Sequence, residues 1–338
     1  MPEGVNANVD LAGKLDFLRR PQSYPDRPAR VDAIETHMSW VFLTERFAYK
    51  LKKPVRLPFL DFSTLGARKH ACEESLRLNR RLAPDVYVGV VPLCRRAGGE
   101  LSLEDDGEPV EWLEKMRRLP ADSMLDRAIA ARTVGVEHVR RFSRVLAAFY
   151  RDAAAESIAP DAYRARLRDD IEDNHAALTE PMWQLPRTRL IALLDAQKGA
   201  LERHAALFDA RVAQRRIVEG HGDLRPEHVC LLDAPVIIDC LEFNRRLRIL
   251  DAADELAYLA LECEHLGAPW IGALVFETYA DDSGDWPPPE IIAFYKAYRA
   301  VLRAKLAIWH LRDHPPSTRA HWLQRTHDYL ALAERYAL

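Results

Sequence analysis

The sequence predicts an α+β fold of two lobes, a small β-rich lobe over residues 1–119 and a larger, mainly helical lobe over residues 120–338. Two observations lead to this prediction. Strand-forming aromatic and β-branched residues concentrate in the first third of the chain. From about residue 120, long stretches carry apolar residues at the spacing of amphipathic helices. The boundary is placed near Leu119-Pro120, where the pattern changes.

Strand and helix signals are mixed in the first lobe. Two β-rich segments, IETHMSWVFL and FAYKLKK, are separated by the polar turn TER and predict a hairpin. An apolar stripe predicts a helix over residues 62–82, and its members are Ala71, Ser75, Leu78 and Leu82. Further strands are predicted over residues 86–93 and 109–116.

Helical patterns dominate the second lobe. They predict helices over residues 136–155, 160–180, 188–214, 251–266 and 289–312. A strand-rich island over residues 215–243 interrupts them. Within it, VCLL and VIID flank DAP and predict a short hairpin with Pro235 in its connection.

The composition is typical of a soluble protein, and a cytoplasmic location is expected. Of the 338 residues, 48% are hydrophobic and 29% are charged, which argues against disorder. The net charge of −3 gives no reason to expect a nucleic-acid or membrane partner. The five cysteines include no C-x-x-C pair, which favours reduced, buried thiols. The first ten residues lack a signal-peptide pattern, and no apolar run reaches the length of a membrane span.

Two aspartates in the strand-rich island carry the chemical signal. Asp223 follows His-Gly in the loop HGDLRPEHV, and Asp239 ends the second strand of the predicted hairpin. Carboxylates delivered by adjacent short loops can converge on one spot. Phosphoryl transfer needs one acid at the acceptor hydroxyl and another at the metal that bridges the phosphates. The pair therefore favours phosphoryl transfer over two isolated structural aspartates.

The loop resembles the catalytic loop of the aminoglycoside phosphotransferases, which have a protein-kinase-like fold. That family carries His-Gly-Asp, an Asn five residues later, and an Asp after a hairpin. The resemblance implies that Asp223 is the catalytic base and Asp239 a metal ligand. His228 stands at the place of the metal-binding Asn. Further on, DAADELA resembles the family's Asp-x-x-x-Asp-Leu-Ala segment, with Asp251 matching and Glu255 replacing the second Asp.

Other segments are similar to an uncharacterised bacterial branch of this family, namely ETHMSWVFL, YKLKKPV, FLDFSTL, LRLNRRLAP and EFN. In that branch, the region is sometimes fused to a P-loop kinase-like domain. The sequence contains no G-x-x-x-x-G-K-[ST] motif, so a stand-alone form is expected.

The first lobe is then expected to bind the nucleotide. Strand alternation places Ala48 and Lys50 on one face, as required for a small residue at the adenine and a lysine at the phosphates. Lys52 shares the face, but the bulky Lys50 stands where the small residue would be needed, so Lys50 is preferred. Backbone groups near Met116 are expected at the adenine.

The lysine needs an acid on the following helix, where Glu73 and Glu74 compete. Glu74 borders the apolar stripe and is preferred, although both can be solvent-facing. The segment THMSWV lies where kinases place a glycine-rich loop but contains no glycine. The resemblance implies phosphate contacts from Thr36, Ser39 and backbone N–H groups.

His228 leaves three alternatives open. It can ligate a metal and shift preference from Mg²⁺ toward Mn²⁺, because imidazole is a softer ligand than an amide oxygen. It can instead donate to a phosphate or to Asp223. Finally, the chain can be a pseudokinase that binds nucleotide without transferring phosphate. His221 is interpreted as structural, and Glu242 as an acid of unknown role near the metal.

The acceptor is not identified by the sequence. The run DDSGD and residues Glu262 and Glu264 are acidic candidates for a cationic acceptor, although the run is more typical of a solvated loop. Lys296, Arg299 and Arg303 share one helix face. If that face lines the cleft, an anionic or sugar-acid acceptor is favoured. If it faces solvent, it gives no information about the acceptor.

The sequence therefore predicts a phosphotransferase that uses ATP or GTP with Mg²⁺ or Mn²⁺ on a small hydroxyl compound. The pseudokinase is the alternative, and transfer of a nucleotide rather than a phosphate is a third possibility.

Overall fold

The computed structural model describes residues 9–57, 60–313 and 316–337, and the fold that it shows is α+β, as predicted. The chain divides into two compact units. The first unit contains residues 1–121 and also residues 236–245, which come later in the chain. The second contains residues 122–235 and 246–338.

An antiparallel sheet forms the first unit. Its strands and helices are α1 (Leu11–Leu18), β1 (Asp32–Glu35), β2 (Ser39–Leu43), β3 (Phe47–Lys52), β4 (Arg56–Leu57), β5 (Leu60–Asp61), α2 (Leu65–Asn79), β6 (Tyr87–Arg95), β7 (Leu101–Ser102) and β8 (Glu108–Arg117). Six of the strands form one sheet in the order β1-β2-β3-β8-β6-β7. The predicted hairpin is β2–β3, in which Ser39 pairs with Lys52 and Leu43 with Ala48.

Helix α2 positions the polar groups behind this sheet. Thr64 caps its start, with Oγ1 accepting from the Ala67 N–H at 3.1 Å. The stripe predicted from the sequence is the buried face, because Ala71, Ser75 and Leu78 are all buried. The helix is shorter than predicted at both ends. Polar Ser75 in the buried stripe is explained by its bond to a carboxylate of the sheet, described below.

The second unit is mainly helical. Its strands and helices are α3 (Leu125–Ala130), α4 (Val136–Asp152), α5 (Pro160–Leu178), α6 (Arg187–Arg203), α7 (Ala205–Ala213), β9 (Ile217–Glu219), β10 (Val229–Cys230), β12 (Ile249–Asp251), α8 (Ala252–His265), α9 (Pro269–Ser283), α10 (Pro289–Asp313) and α11 (Arg319–Ala337). Strand β11 (Val236–Ile237) belongs to the first unit. Strands β9 and β12 pair antiparallel.

The helices of the second unit differ in part from the sequence prediction. The helix predicted over residues 188–214 is two helices, α6 and α7, separated at His204. Helices α3, α9 and α11 were not predicted. The α9 pattern is weak because apolar residues surround the helix instead of forming one stripe. Helix α11 does bury a stripe that includes Tyr329, Leu330 and Ala333, so its periodicity was available in the sequence.

Helix α8 is the central helix of the second unit. Its residues from Ala252 to Cys263 are all buried, including acids at three positions. Asp251 caps its N-terminus, with Oδ1 accepting from the Ala253 N–H at 2.9 Å. The same carboxylate lies on the buried Arg211 guanidinium at 2.7 Å. This capped N-terminus fixes the position of α8 and therefore of its buried acids. One of these acids, Glu255, holds the loop that contains Asp223.

Candidate functional site

Lys50 and Asp239 meet in the first unit. They are 189 positions apart in the chain, and Lys50 Nζ lies 2.5 Å from Asp239 Oδ1. The Lys50 side chain is mostly buried, whereas 43% of the Asp239 side chain is exposed. Burial by itself lowers the pKa of Lys50, but the charges of Asp239, Glu114 and Glu242 outweigh burial and raise it. The ammonium group is therefore charged at neutral pH.

The backbone at Asp239 adopts a left-handed conformation with φ of 63°, which a residue with a side chain rarely adopts. Two buried side chains hold this turn. The Tyr87 hydroxyl accepts from the Asp239 N–H at 3.1 Å, and Asn79 Oδ1 accepts from the Cys240 N–H at 2.9 Å. These bonds aim the Asp239 carboxylate at Lys50.

Lys52 is a second, completely buried cation beside this pair. Its Nζ lies 2.7 Å from Glu114 Oε1 and also contacts the carboxylate of Glu242. Burial lowers the pKa of Lys52, but these two carboxylates raise it above its ordinary value. Glu242, interpreted from the sequence as an acid near the metal, is thus a partner of Lys52. The greater access of Lys50 agrees with its preference over Lys52 as the phosphate-binding lysine.

The helix glutamates occupy other positions than the sequence suggested. Glu74 forms an ion pair with Arg77 of the same helix at 2.7 Å. Glu73 lies 3.8 Å from Lys69. The acids that act on Lys50 are Asp239, Glu114 and Glu242. The predicted pairing of Lys50 with Glu74 therefore differs from the structure, because a carboxylate of the sheet approaches the lysines where the helix presents Ser75.

The other predicted nucleotide-binding residues lie in the sheet. Ala48 is buried on β3 directly opposite Met116 of β8. Ser39 is buried at the start of β2, and its N–H donates to Thr36 Oγ1 at 3.0 Å. Thr36 and Ser39 therefore close the β1–β2 turn with their own bonds. Their roles at a nucleotide remain predictions.

In the second unit, Glu255 of α8 holds the loop that precedes Asp223. Its carboxylate accepts from the His221 N–H at 2.8 Å, from the Gly222 N–H, and from the Tyr150 hydroxyl at 2.8 Å. Gly222 has a φ of 90°, which suits glycine. His221 is completely buried, and its Nδ1 accepts from the Asp223 N–H at 3.3 Å. The structural interpretation of His221 agrees with this contact.

Asp223 is held by two side chains that the sequence prediction did not include. Arg225 Nη2 donates to Asp223 Oδ2 at 2.8 Å, and the Tyr258 hydroxyl lies 3.3 Å from Oδ1. Burial raises the pKa of the Asp223 carboxyl, but the positive charges of the Arg225 and Arg303 guanidinium groups outweigh burial and hold it well below its ordinary value. Asp223 is therefore ionised, and it accepts hydrogen bonds better than it takes up a proton.

His228 is bound to the same loop. Its Nδ1 lies 2.7 Å from the Asp223 carbonyl oxygen. Because a carbonyl oxygen only accepts, Nδ1 carries the proton, and Nε2 is the nitrogen that can serve a metal or a phosphate. The ring also stacks on His221, with ring centres 5.8 Å apart. His228 thus positions Asp223 whether or not it binds a metal.

The acceptor candidates of the second unit are matched internally. Three cations of α10 form ion pairs with three acids of α8. The distances are 2.6 Å between Arg299 and Asp254, 3.0 Å between Arg303 and Glu262, and 3.4 Å between Lys296 and Glu264. In the DDSGD run, Asp285 is buried on Arg211. Each of these charges therefore has a partner within the second unit. The choice between the two alternatives for the face of Lys296, Arg299 and Arg303 stays a prediction.

The new site residues gave weak signals in the sequence. Arg225 lies two residues after Asp223, in a loop where a charged residue is ordinarily assigned to solvent. Tyr258 follows Glu255 by three positions, and this spacing places both on the same side of α8. Glu114 was counted only as part of a strand. Its location opposite Lys50 follows from the β3–β8 register.

The residues suit a divalent cation that arrives with phosphates. Among residues 9–57, 60–313 and 316–337, no three His, Cys, Asp or Glu side chains form a ready metal site. Magnesium commonly uses one or two carboxylates, with phosphate and water oxygens completing its shell. Asp239 supplies such a carboxylate, and its partial exposure leaves it accessible.

Known proteins resemble the chain in both sequence and fold. Uncharacterised proteins of Mycobacterium tuberculosis and Mycobacterium bovis are 34% identical over 283 residues, which cover 82% of this chain. The chain spans about half of these relatives, since the match covers 54% of their length. No protein-family model matches the chain.

Solved structures confirm the predicted kinase-like fold. A choline/ethanolamine kinase family protein from Mesorhizobium loti matches with a TM-score of 0.54 at 13% identity, covering 96% of this chain and 97% of that one. A choline kinase from Cryptosporidium parvum matches with a TM-score of 0.54 at 9% identity, covering 95% of each chain. A thermostable mutant of an aminoglycoside phosphotransferase, solved in a ternary complex with AMP-PNP and hygromycin B, matches with a TM-score of 0.51 at 11% identity, covering 94% of this chain and 97% of that one.

The chain therefore has the fold of the choline kinases and aminoglycoside phosphotransferases. Within the described ranges, each helix is too short or too polar to cross a bilayer.

Proposed function

We propose that this chain is a phosphotransferase that moves the γ-phosphoryl group of ATP or GTP to a hydroxyl group of a small molecule. The observation that carries the proposal is the meeting of Lys50 and Asp239 at 2.5 Å. A lysine that is charged at neutral pH suits a phosphate clamp, and the partly exposed carboxylate beside it suits a ligand for the phosphate-bound cation. Asp239 makes this contact from a left-handed backbone conformation, and strained conformations of this kind cluster at functional sites.

Asp223 is suited to bind the hydroxyl group of the acceptor molecule. Its lowered pKa makes it a weak base and a constant hydrogen-bond acceptor, so its main role is to orient the hydroxyl group. Arg225 and Tyr258 fix its two oxygens, while Glu255 and His228 hold the backbone on either side. Such fixed geometry contributes to rate because phosphoryl transfer depends on positioning.

The proposed step is a substitution at the γ-phosphorus. The acceptor oxygen forms a bond to phosphorus, the bond from phosphorus to the β–γ bridging oxygen breaks, and ADP or GDP leaves with that electron pair. The hydroxyl proton passes to Asp223 late in the step and then to solvent. A bound Mg²⁺ or Mn²⁺ would neutralise charge on the phosphates. Lys50 binds phosphate oxygens, and Asp239 would hold the cation. In the second unit, His228 is a candidate contact for a phosphate or a cation.

A catalytically impaired pseudokinase is the second candidate. Two observations favour it: His228 stands where the resembling family has Asn, and Arg225 lies directly on Asp223 at 2.8 Å. If Asp223 binds the acceptor hydroxyl through this oxygen, the Arg225 guanidinium and the acceptor must share it. Both candidates bind nucleotide, so they differ only in turnover.

Nucleotide-dependent thermal stabilisation tests the shared part of both candidates. The wild type and Asp239→Ala are melted with AMP-PNP, AMP-PNP plus Mg²⁺, and AMP-PNP plus Mn²⁺, because a ligand that binds the folded state raises the melting temperature. We expect metal-dependent stabilisation of the wild type and its loss in Asp239→Ala. Exposed Asp281 provides the matched control, since Asp281→Ala removes the same charge and is expected to keep the stabilisation. A wild type that does not respond to nucleotide with either metal would exclude the proposal.

A further inference from the structure

We propose that Glu114 of β8 is a positioning residue and that it takes the role predicted for a glutamate of α2, that of the acid beside the phosphate-binding lysine. Glu114 acts by fixing the segment that carries Asp239. This inference rests on the proposed function. It concerns the residues behind the Lys50–Asp239 pair, all of which belong to the first unit.

Glu114 is the hub of a buried chain of polar contacts. One carboxylate oxygen lies 2.7 Å from Lys52 Nζ, and the other accepts from Ser75 Oγ at 2.8 Å. Lys52 in turn contacts Glu242. On the other branch, Asn79 Nδ2 lies 3.2 Å from Ser75 Oγ, and Asn79 Oδ1 holds the Cys240 N–H at 2.9 Å. Both branches end on the segment from Asp239 to Glu242.

The location of Glu114 follows from the register of the sheet. It pairs directly with Lys50 across β3 and β8, so their side chains lie on the same face as that of Lys52. On α2, the residue that faces these groups is Ser75, whose short side chain leaves room for a carboxylate from the strand. Glu74 instead pairs with Arg77. The acid therefore comes from the sheet, and the helix supplies a hydroxyl that binds it.

The cluster has a charge balance that depends on Glu114. Two lysines, Lys50 and Lys52, share three carboxylates, those of Glu114, Asp239 and Glu242. If Glu114 loses its charge, both ammonium groups rely on Asp239 and Glu242. A cation that needs the Asp239 carboxylate would then compete with Lys50, which is held more tightly to it. Removing an outer partner of a metal ligand typically costs about 10- to 100-fold in metal affinity.

Glu114→Gln is the direct test, and Glu111→Gln is its matched control. Glu111 lies on the same strand and is equally buried. Its carboxylate binds two cations, Lys14 at 2.9 Å and Arg68 at 2.8 Å, and the Glu114 carboxylate binds Lys52 and Ser75. Both substitutions therefore remove one charge from a buried ion cluster of β8, but only Glu114 connects to the Asp239 segment.

Two readouts are taken for each variant. The first is the Mn²⁺ concentration that gives half-maximal binding of AMP-PNP, compared with AMP-PNP affinity without metal. The second is hydrogen exchange at the amides of Asp239 and Cys240, which needs no nucleotide. For Glu114→Gln, we expect the Mn²⁺ requirement to rise about tenfold or more and exchange at both amides to accelerate. For Glu111→Gln, we expect a lower melting temperature but no change in either readout.

If Glu114→Gln does not fold, Ser75→Ala is the second test, because it removes only the two contacts of Ser75 Oγ that join Glu114 to Asn79. It should shift both readouts in the same direction by a smaller amount. Equal shifts in Glu114→Gln and Glu111→Gln, or unchanged exchange at Asp239 and Cys240, would overturn the positioning role. Failure of the proposed function is separate, since it is seen as wild-type protein that does not bind AMP-PNP with Mn²⁺.

Discussion

Glu255 allows a quantitative prediction because its carboxylate is completely buried and accepts three hydrogen bonds. Oε2 serves the His221 N–H and the Tyr150 hydroxyl, and Oε1 serves the Gly222 N–H. In Glu255→Gln, the amide oxygen can replace only one carboxylate oxygen. The NH₂ group then faces a donor, so at least one buried N–H loses its acceptor.

The expected cost follows from these contacts. A hydrogen bond to a charged group contributes about 1.5–3 kcal/mol, and an unsatisfied buried donor costs about 1–3 kcal/mol. We therefore expect Glu255→Gln to lower the free energy of unfolding by about 2–4 kcal/mol, a large part of a typical total of about 5–15 kcal/mol. Movement of the His221–Gly222 backbone would also displace Asp223. A displacement of about 1 Å can cost about 100-fold in rate.

Denaturant unfolding and hydrogen exchange measure the two effects. Exchange at the amides of His221 and Gly222 should accelerate in Glu255→Gln. The control is Glu264→Gln on the same helix, which removes a carboxylate bound to Lys296 and Arg335 without touching the loop. If both variants lose the same stability and neither changes exchange at His221 and Gly222, the proposed support of the loop by Glu255 is refuted.

Two further predictions concern the loop itself. The lowered pKa of Asp223 means that its stabilising contacts are complete above the ordinary aspartate value of 3.8 and are lost as the pH falls below it toward the lower folded-state pKa. The stability difference between wild type and Asp223→Asn, measured by urea unfolding, should be constant near neutrality and shrink only below that value; a decline near neutral pH would contradict the assigned ionisation. His228→Asn should keep the bond to the Asp223 carbonyl oxygen through its amide and change the free energy of unfolding by less than about 1 kcal/mol, whereas His228→Ala should lose about 1–3 kcal/mol. If His228 also binds the cation, His228→Asn should shift preference from Mn²⁺ toward Mg²⁺ in AMP-PNP binding, and an unchanged preference would remove His228 from the metal ligands.

Local patterns predicted much of the fold. The β2–β3 hairpin followed from two β-rich segments and a polar turn, and helix α2 followed from one stripe that is indeed buried. Helix α9 was missed because its apolar residues surround the helix and give no stripe. Helix α6 and helix α7 were merged because the break at His204 carries neither glycine nor proline.

The candidate site was predictable only where a motif was present. Asp223 and Asp239 were found from their spacing within one short segment, and Lys50 from strand alternation. The acid beside the lysines was sought on α2, but Glu114 approaches from β8, which depends on strand order and register. Arg225 and Tyr258 hold Asp223 through side-chain directions that a one-dimensional pattern does not contain.

The central claim is tested most directly by following the γ-phosphate of labelled ATP. Wild type and Asp223→Ala are incubated with Mg²⁺ or Mn²⁺ and γ-labelled or α-labelled ATP, with water and with a mixture of hydroxylated small molecules as acceptors. We expect the wild type to release or transfer the γ-label alone. We expect Asp223→Ala to lose this release and transfer while its nucleotide affinity stays nearly unchanged. Nucleotide binding by wild type without any loss of γ-label would contradict phosphoryl transfer and establish a binding module. Transfer of the α-label would instead show that the chain moves a nucleotide.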